Sequence, residues 1–342
     1  MTITVKNNFD NSLKQILLQG VGLKPNDAIY KEIFELELSK VLLVYFNQRK
    51  KIPLPVKRNV HYSKEFYNNP NYETYETTIN KITSYFEQGL NIYPFLSKTV
   101  KNIYLPDKRK DKDKDMLLND WGIHHLHLGE LKDGSEFTER TRDVLFCKIT
   151  DTDVYFIGIF DHKKTDAFAD IDILRILKNN WGSFLEPYEL KGVTSLVGAE
   201  GEDIKLTSKD YTGLRKEGSS TIYEVDGAFY FSPTGGYATS CHSINDVRAA
   251  DDIMIELNAI KEALEGSKNS LYQLVFKARK RKQKQFLFNY ISSSVECVTI
   301  KDYYSNMLVK FIRNNFGFEY MDFILDGYVV RTKFNYAENN IN

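Results

Sequence analysis

The chain has 342 residues, of which 42% are hydrophobic and 27% charged, a composition typical of globular proteins rather than disordered chains. Lysine plus arginine equals aspartate plus glutamate, at 46 each. This balance argues against a protein that coats nucleic acid through its overall charge, although a local basic patch is compatible with it. Because no run of about 18 apolar residues occurs and the N-terminal segment has no continuous apolar stretch, we predict neither a membrane span nor a signal peptide.

The three cysteines, Cys147, Cys241 and Cys297, are odd in number and far apart in the sequence. No CxxC pair and no Cys/His spacing typical of a zinc site occurs. Such cysteine usage is typical of proteins in a reducing compartment, so we predict a cytoplasmic protein.

The first predicted region, 1–106, is mainly helical. Apolar residues recur at three- and four-residue spacing over 28–47 and again over 74–95, and each pattern predicts an amphipathic helix. The nine residues of segment 107–115 are all acidic or basic, and none is apolar. It predicts a solvated linker and a boundary between domains.

The second predicted region, 116–184, changes to a period of two and is expected to form an antiparallel sheet. The strand-like segments are 123–129, 143–150 and 154–160. A short turn at 151–153 joins the last two as a hairpin, and their nearly continuous apolar character predicts strands that are buried on both faces. A helix is predicted over 169–180.

The third predicted region, 185–342, is mixed. Asp226-Gly227 and Asp326-Gly327 suit type I′ turns and predict two hairpins. Helices are predicted over 243–265, 270–289 and 302–315. The fold class is therefore predicted as α+β, with N-terminal helices, a central antiparallel sheet and a mixed C-terminal domain.

Histidines concentrate in the central region, at His124, His125, His127 and His162. On a strand over 123–129, His125 and His127 share one face and His124 points to the other. Counting across the two turns places His127 near Asp143 and His162 near Arg142. These residues are thus expected to meet at one end of the sheet, with Lys163 and Lys164 just beyond.

This grouping suits RNA cleavage by the 2′-hydroxyl, which needs a base, an acid and a cation for the phosphorane. Histidine serves as base or acid near neutral pH, so His127 and His162 are predicted in those roles. Arg142 and Lys163 would stabilise the phosphate, because guanidinium and ammonium groups both bind its oxygens. Asp161 is expected to orient an imidazole.

The same segment resembles the core of the RelE/ParE/HigB toxin family. The matching runs are LHLG at 126–129, RDVLF at 142–146, an Asp turn, the strand 154–159 and DHKK at 161–164, beside LRxG, YRVLY and GHRK in the family. The resemblance implies a small sheet packed on N-terminal helices, with ribonuclease activity that relies on basic and histidine residues at strand ends. Residues at matching positions are Arg142, His162, Lys163 and His127.

The resemblance covers about 40 of the 342 residues. The chain departs from the family by an insertion between Gly129 and Arg142, by Asp161 where the family has glycine, and by its greater length. The extra regions suit a larger toxin–antitoxin or phage-defence protein. The leading prediction is a metal-independent endoribonuclease of toxin or phage-defence type, without a cofactor. The expected partners are RNA and an antitoxin or defence-system protein, and no membrane is expected to be involved.

Two alternatives stay open, and whether the chain is an enzyme stays open with them. One is a non-catalytic nucleic-acid or protein interaction module, because six of the eight residues at 277–284 are basic and could follow a phosphate backbone. These predicted nucleic-acid-binding residues are Lys277, Arg279, Lys280, Arg281, Lys282 and Lys284. The other alternative is a metal-dependent hydrolase or nuclease, because His125 and His127 form an HxH pair that His162 or Asp161 could complete.

Overall fold

The computed structural model describes residues 4–106, 115–198, 200–238, 240, 242–277, 285–294, 297–303, 305–314 and 317–334. Within them, the α-helices are α1 (Phe9–Gly20), α2 (Ala28–Phe34), α3 (Leu38–Lys51), α4 (Tyr72–Gln88), α5 (Met116–Trp121), α6 (Ile171–Trp181), α7 (Ser208–Lys216), α8 (Ile244–Gly266) and α9 (Lys268–Lys277). The strands are β1 (Thr4–Asn7), β2 (Asn59–Tyr62), β3 (Ile123–His127), β4 (Asp143–Ile149), β5 (Asp153–Asp161), β6 (Leu196–Val197), β7 (Asp203–Ile204), β8 (Tyr223–Val225), β9 (Ala228–Tyr230), β10 (Gln285–Ser293), β11 (Cys297–Asp302), β12 (Leu308–Asn314), β13 (Gly317–Leu325) and β14 (Tyr328–Lys333). The fold is α+β.

The chain divides into two compact units. The central unit is Phe46–Val247, and the terminal unit combines Met1–Tyr45 with Arg248–Asn342. This division differs from the three consecutive regions predicted from the sequence. The predicted linker at 107–115 lies outside the described residues except for Asp115.

The terminal unit contains a six-stranded sheet in the order β1-β10-β11-β12-β13-β14. β1 pairs with β10 in parallel, although the two strands come from opposite ends of the chain, and the other neighbouring pairs are antiparallel. Helix α1 packs against β10, and α9 packs against β13 and β14.

The helix predicted over 302–315 is wrong, because this segment ends β11 and forms β12. Val309 and Phe311 are buried while Lys310 between them is exposed, which is the period of a strand. Leu308 and Ile312 are half-buried on the other face, so the apolar residues of the strand also fit helical spacing. The helix predicted over 270–289 is right only for its first part, since α9 ends at Lys277 and β10 begins at Gln285.

The single helix predicted over 28–47 is divided into α2 and α3. The two aspartate–glycine hairpins are confirmed, since Asp226 and Gly227 have φ of 52° and 76° and Asp326 and Gly327 have φ of 48° and 81°. Positive φ at both central residues is the requirement of a type I′ turn.

The central unit is built on a four-stranded sheet in the order β2-β5-β4-β3. The predicted hairpin is present as β4 and β5, and β3 pairs antiparallel with β4. The edge strand β2, which the sequence did not predict, is parallel to β5. Side chains of β4 alternate between two buried clusters: Leu145 packs on the side of α4, and Val144 and Phe146 pack on the side of α6. The sheet is therefore buried on both faces, as predicted.

Candidate functional site

Three histidines of the central unit meet at one end of the four-stranded sheet. His125 and His127 alternate with Leu126 along β3 and point to the same face, while His124 points to the other face and its Nε2 lies 2.9 Å from the Lys50 carbonyl oxygen. His127 lies opposite Val144, one residue from its predicted neighbour.

His162 follows directly after β5 and reaches the same end of the sheet. Its backbone N–H donates to the Arg142 carbonyl at 2.8 Å, so the predicted proximity of these two residues is confirmed. The ring centroids are 5.8 Å apart for His125 and His127, 6.1 Å for His125 and His162, and 5.8 Å for His127 and His162. The three imidazoles thus form a nearly equilateral triangle.

His127 is the most enclosed of the three. It is 3% exposed, and neither ring nitrogen has a hydrogen-bond partner among the residues that the structure describes. Burial, followed by the charges of His125 and His162, lowers the pKa of His127 to about 3. Burial also lowers the pKa of His162. Both imidazoles are therefore neutral near pH 7.

A pocket of about 430 Å³ opens beside the triangle, and His125 and His162 form part of its wall. His127 contacts both rings but is not among the residues that line the pocket. The apolar lining is Met116, Ala167, Phe168 and Ala169, and the basic lining is Arg140, Lys164, Arg215 and Lys216. The remaining lining residues are acidic or carry hydroxyls: Asp115, Asp166, Ser97, Thr99 and Thr212.

Phe168 anchors the apolar part of the wall. Its ring centroid lies 5.2 Å from that of His125 and 5.2 Å from that of His162, both in T-shaped contacts, and 5.7 Å from that of Phe146. The ring is half-buried. It is therefore held in place on one side and presents apolar surface to the pocket on the other.

Arg142 and Lys163, the two cations predicted from the sequence, are not among the residues that line the pocket. The Arg142 side chain is 71% exposed, and its guanidinium donates to Asp161 Oδ2 from Nε at 2.9 Å and from Nη2 at 2.6 Å. Asp161 Oδ1 accepts the Lys163 backbone N–H at 2.8 Å. Asp161 thus accepts hydrogen bonds from the Arg142 side chain and the Lys163 backbone. The prediction that it orients an imidazole is wrong.

Arg140 and Lys164 line the pocket beside the histidines, which is the position that the sequence predicted for Arg142 and Lys163. Lys164 is neutralised by Asp170, 2.7 Å away. Arg140 and Lys216 have no hydrogen bond or ion pair to any described residue. Among the described residues they are thus the two basic side chains of the pocket wall without a partner, which suits them to bind an anion.

Arg215 belongs to a buried network at the base of the pocket. Asp120 and Arg215 are 1% and 4% exposed, and their side chains pair at 2.7 Å. Arg215 Nε donates to Asp120 Oδ2 at 2.9 Å, and the Tyr223 hydroxyl donates to the same oxygen. The guanidinium also lies 4.2 Å from the Trp121 ring centroid. This network fixes the last turn of α7, and therefore the position of Lys216 in the pocket wall.

The sequence did not predict Lys216, Phe168 or Asp115 as site residues, because they lie on separate segments with no motif in common. Asp115 caps α5 by accepting the Leu118 N–H at 3.0 Å, and its Oδ2 lies 3.6 Å from His125 Nδ1. The predicted nucleic-acid-binding residues Arg279, Lys280, Arg281, Lys282 and Lys284 lie outside the described residues, and Lys277 is the last residue of α9.

Within the described part of the chain, no group of three or more His, Cys, Asp or Glu side chains is arranged to hold a metal ion. No helix in that part is long and apolar enough to cross a membrane. The chain matches no protein-family model, no curated protein and no solved structure in the three comparisons made.

Proposed function

We propose that the protein is a metal-independent endoribonuclease whose active site is the pocket beside the histidine triangle. The observation that carries the proposal is the presence of two imidazoles, His125 and His162, in one pocket wall with Arg140 and Lys216, two cations without an ion pair among the described residues. Cleavage of RNA by its own 2′-hydroxyl needs a base, an acid and a cation for the phosphorane, and these side chains can supply all three without a metal.

His162 is assigned as the base, because burial keeps its imidazole neutral near pH 7. It takes the proton of the 2′-hydroxyl as the O2′–P bond forms. His125 is assigned as the acid, because it shares the pocket wall with His162 and the Asp115 carboxylate, 3.6 Å from its Nδ1, can orient the ring. It protonates the 5′-oxygen as the P–O5′ bond breaks, which leaves a 2′,3′-cyclic phosphate and a 5′-hydroxyl.

His127 becomes a positioning residue in this proposal, since it is buried, contacts both other rings and does not line the pocket. Arg140 and Lys216 stabilise the additional negative charge of the phosphorane. Arg142 and Lys163, predicted for that role, lie at the sheet end outside the pocket lining. The resemblance of 126–164 to the RelE family supports a toxin or phage-defence role in the cytoplasm, with an antitoxin or defence-system protein as partner.

Incubation of purified protein with total RNA in EDTA tests the proposal. Cleavage is expected, and His125→Asn or His162→Asn should lower its rate by about 10²- to 10⁴-fold, the usual contribution of a general acid or base. Arg140→Gln should lower the rate more than Arg142→Gln. Lys209→Gln, an exposed lysine on the same helix as Lys216, is the matched control for charge. A His125→Asn/His162→Asn double variant that cleaves RNA as fast as the unmodified protein would refute the proposal.

A metal-dependent hydrolase is the second candidate, favoured by one observation. In the described part of the chain, His125 Nδ1 and both ring nitrogens of His127 are buried without a hydrogen-bond partner, and imidazole nitrogens are common metal ligands. The same RNA assay with Mg²⁺, Mn²⁺ or Zn²⁺ separates the two candidates. Cleavage that appears only with metal would assign the triangle to a metal site, and absence of cleavage in every condition would favour a non-catalytic binding module.

A further inference from the structure

The contents of the pocket wall point to the form in which RNA would bind. Apolar side chains and free cations occupy the same wall, whereas a site for phosphate alone needs only the cations. At about 430 Å³, the pocket is near the lower end of the range of small-molecule sites, about 300–1,000 Å³. A space of this size suits one small aromatic group with a charged substituent, and it cannot admit a double helix.

Resting on the proposed function, we infer that the pocket binds one unpaired nucleotide of single-stranded RNA, with the base against Phe168 and the phosphate at Arg140 and Lys216. Phe168 is suited to stacking, because three ring contacts already hold it in place. Little side-chain freedom then remains to be lost when a base binds.

The charges of the wall agree with this assignment. Lys164 forms an ion pair with Asp170, and Arg215 forms one with Asp120. These two cations are therefore assigned to stabilising the fold rather than to binding a ligand. Arg140 and Lys216 have no such partner among the described residues. Two uncompensated cations beside an apolar wall match a ligand with one anionic end and one flat apolar end.

The lining gives no reason for strong selection among the four bases. Stacking on an aromatic ring accepts every base, because each has a π-face. Discrimination between bases needs polar groups directed at their edges. The uncharged polar groups of this wall are the hydroxyls of Ser97, Thr99 and Thr212, and a hydroxyl can both donate and accept, so it can pair with the edge of any base. We therefore expect selection for unpaired RNA rather than for a sequence.

Equilibrium binding in EDTA tests the inference separately from cleavage. The probes are the four nucleoside 3′-monophosphates, inorganic phosphate and the four unphosphorylated nucleosides. All four nucleotides should bind the full-length protein more tightly than phosphate or nucleosides do. Phe168→Leu should weaken nucleotide binding by about 5- to 100-fold, since a stacked base contributes on that order, and should leave phosphate binding unchanged.

Matched variants identify which end of the nucleotide each residue contacts. Arg140→Gln should weaken binding of nucleotides and of phosphate, and Lys209→Gln should weaken neither. Because Phe168→Leu could disturb the fold, Phe168→Tyr is compared with it; this variant keeps the ring and should keep nucleotide binding.

Nucleotides that bind no better than phosphate would overturn the inference, and so would nucleotide binding that Phe168→Leu leaves unchanged. Tight nucleotide binding without RNA cleavage would keep the inference and refute the ribonuclease. RNA cleavage without nucleotide binding would keep the ribonuclease and refute the inference. A double-stranded RNA that is cut as fast as the corresponding single strand would also contradict the inference.

Discussion

His242 is a single residue through which pH should act on stability. It is fully buried, its Nδ1 lies 3.2 Å from the Ser240 carbonyl oxygen, and its Nε2 has no hydrogen-bond partner among the described residues. Burial lowers its pKa to about 4, against about 6.5 in an unfolded chain. Between these two values the unfolded state binds one more proton than the folded state, so stability falls as the pH falls.

We therefore expect His242 to lower the unfolding free energy by about 1.4 kcal/mol for each unit that the pH falls between roughly pH 6.5 and 4. Urea unfolding at several pH values, followed by tryptophan fluorescence, measures this, because both tryptophans, Trp121 and Trp181, belong to the central unit. His242→Asn should reduce the slope of stability against pH by about one proton. An unchanged slope would contradict the prediction, whatever the variant does to absolute stability.

The buried pair of Asp120 and Arg215 should be sensitive to loss of either charge. Asp120→Asn leaves a guanidinium enclosed without its counter-ion, which typically costs about 3–5 kcal/mol. Adding Arg215→Met removes that stranded charge, so the double variant should be more stable than Asp120→Asn alone. Glu136→Gln, which breaks the exposed pair of Glu136 and Lys101, is the control and should have a much smaller effect. Urea unfolding of the variants measures all of these effects.

At the scale of elements, local pairing was predictable and long-range pairing was not. The β4–β5 hairpin and the nearby His162 could be predicted, because a short turn fixes the register of its two strands. No local signal indicated that β2 would pair in parallel with β5, or that α7 would bring Lys216 to the pocket. The same register brought Arg142 and Asp161 to one end of the sheet, but it did not show that Asp161 would bond Arg142 instead of an imidazole.

Helix α7 offers a test of an element in the pocket wall. Thr207 and Asp210 form a capping box at its start, but Gly213 in its interior is exposed, and a Cβ there would meet no atom within 4 Å. Gly213→Ala should raise the unfolding free energy by about 0.5–1 kcal/mol, because glycine loses more backbone freedom than alanine on helix formation. Urea unfolding measures the gain.

Gly129→Ala is the matched contrast, since the same substitution should have the opposite sign there. A Cβ on Gly129 would lie 2.1 Å from the Glu139 carbonyl oxygen, so the backbone of the loop that carries Arg140 must move. This variant should be destabilised and should bind nucleoside 3′-monophosphates more weakly. Equal stability of the Gly129→Ala and Gly213→Ala proteins would contradict the geometry of both sites.

At the scale of the whole molecule, the continuous segment Phe46–Val247 holds two buried hydrophobic clusters and every residue of the proposed site. One cluster, around Phe156, draws only on residues between Ile52 and Ile159. The other, around Trp121, draws only on residues between Leu117 and Tyr230. A segment with its own core and complete strand pairing meets the requirements of an independently folding domain.

We therefore expect a protein consisting of residues 46–247 alone to fold and to keep the pocket. Its tryptophan fluorescence should show one cooperative urea transition, and it should bind nucleoside 3′-monophosphates within about threefold of the full chain, a difference of less than 1 kcal/mol. Asp120→Asn should destabilise it as much as the full chain, because the pair and all its contacts lie inside the segment. A non-cooperative transition, or loss of nucleotide binding, would mean that the terminal unit is needed to maintain the site.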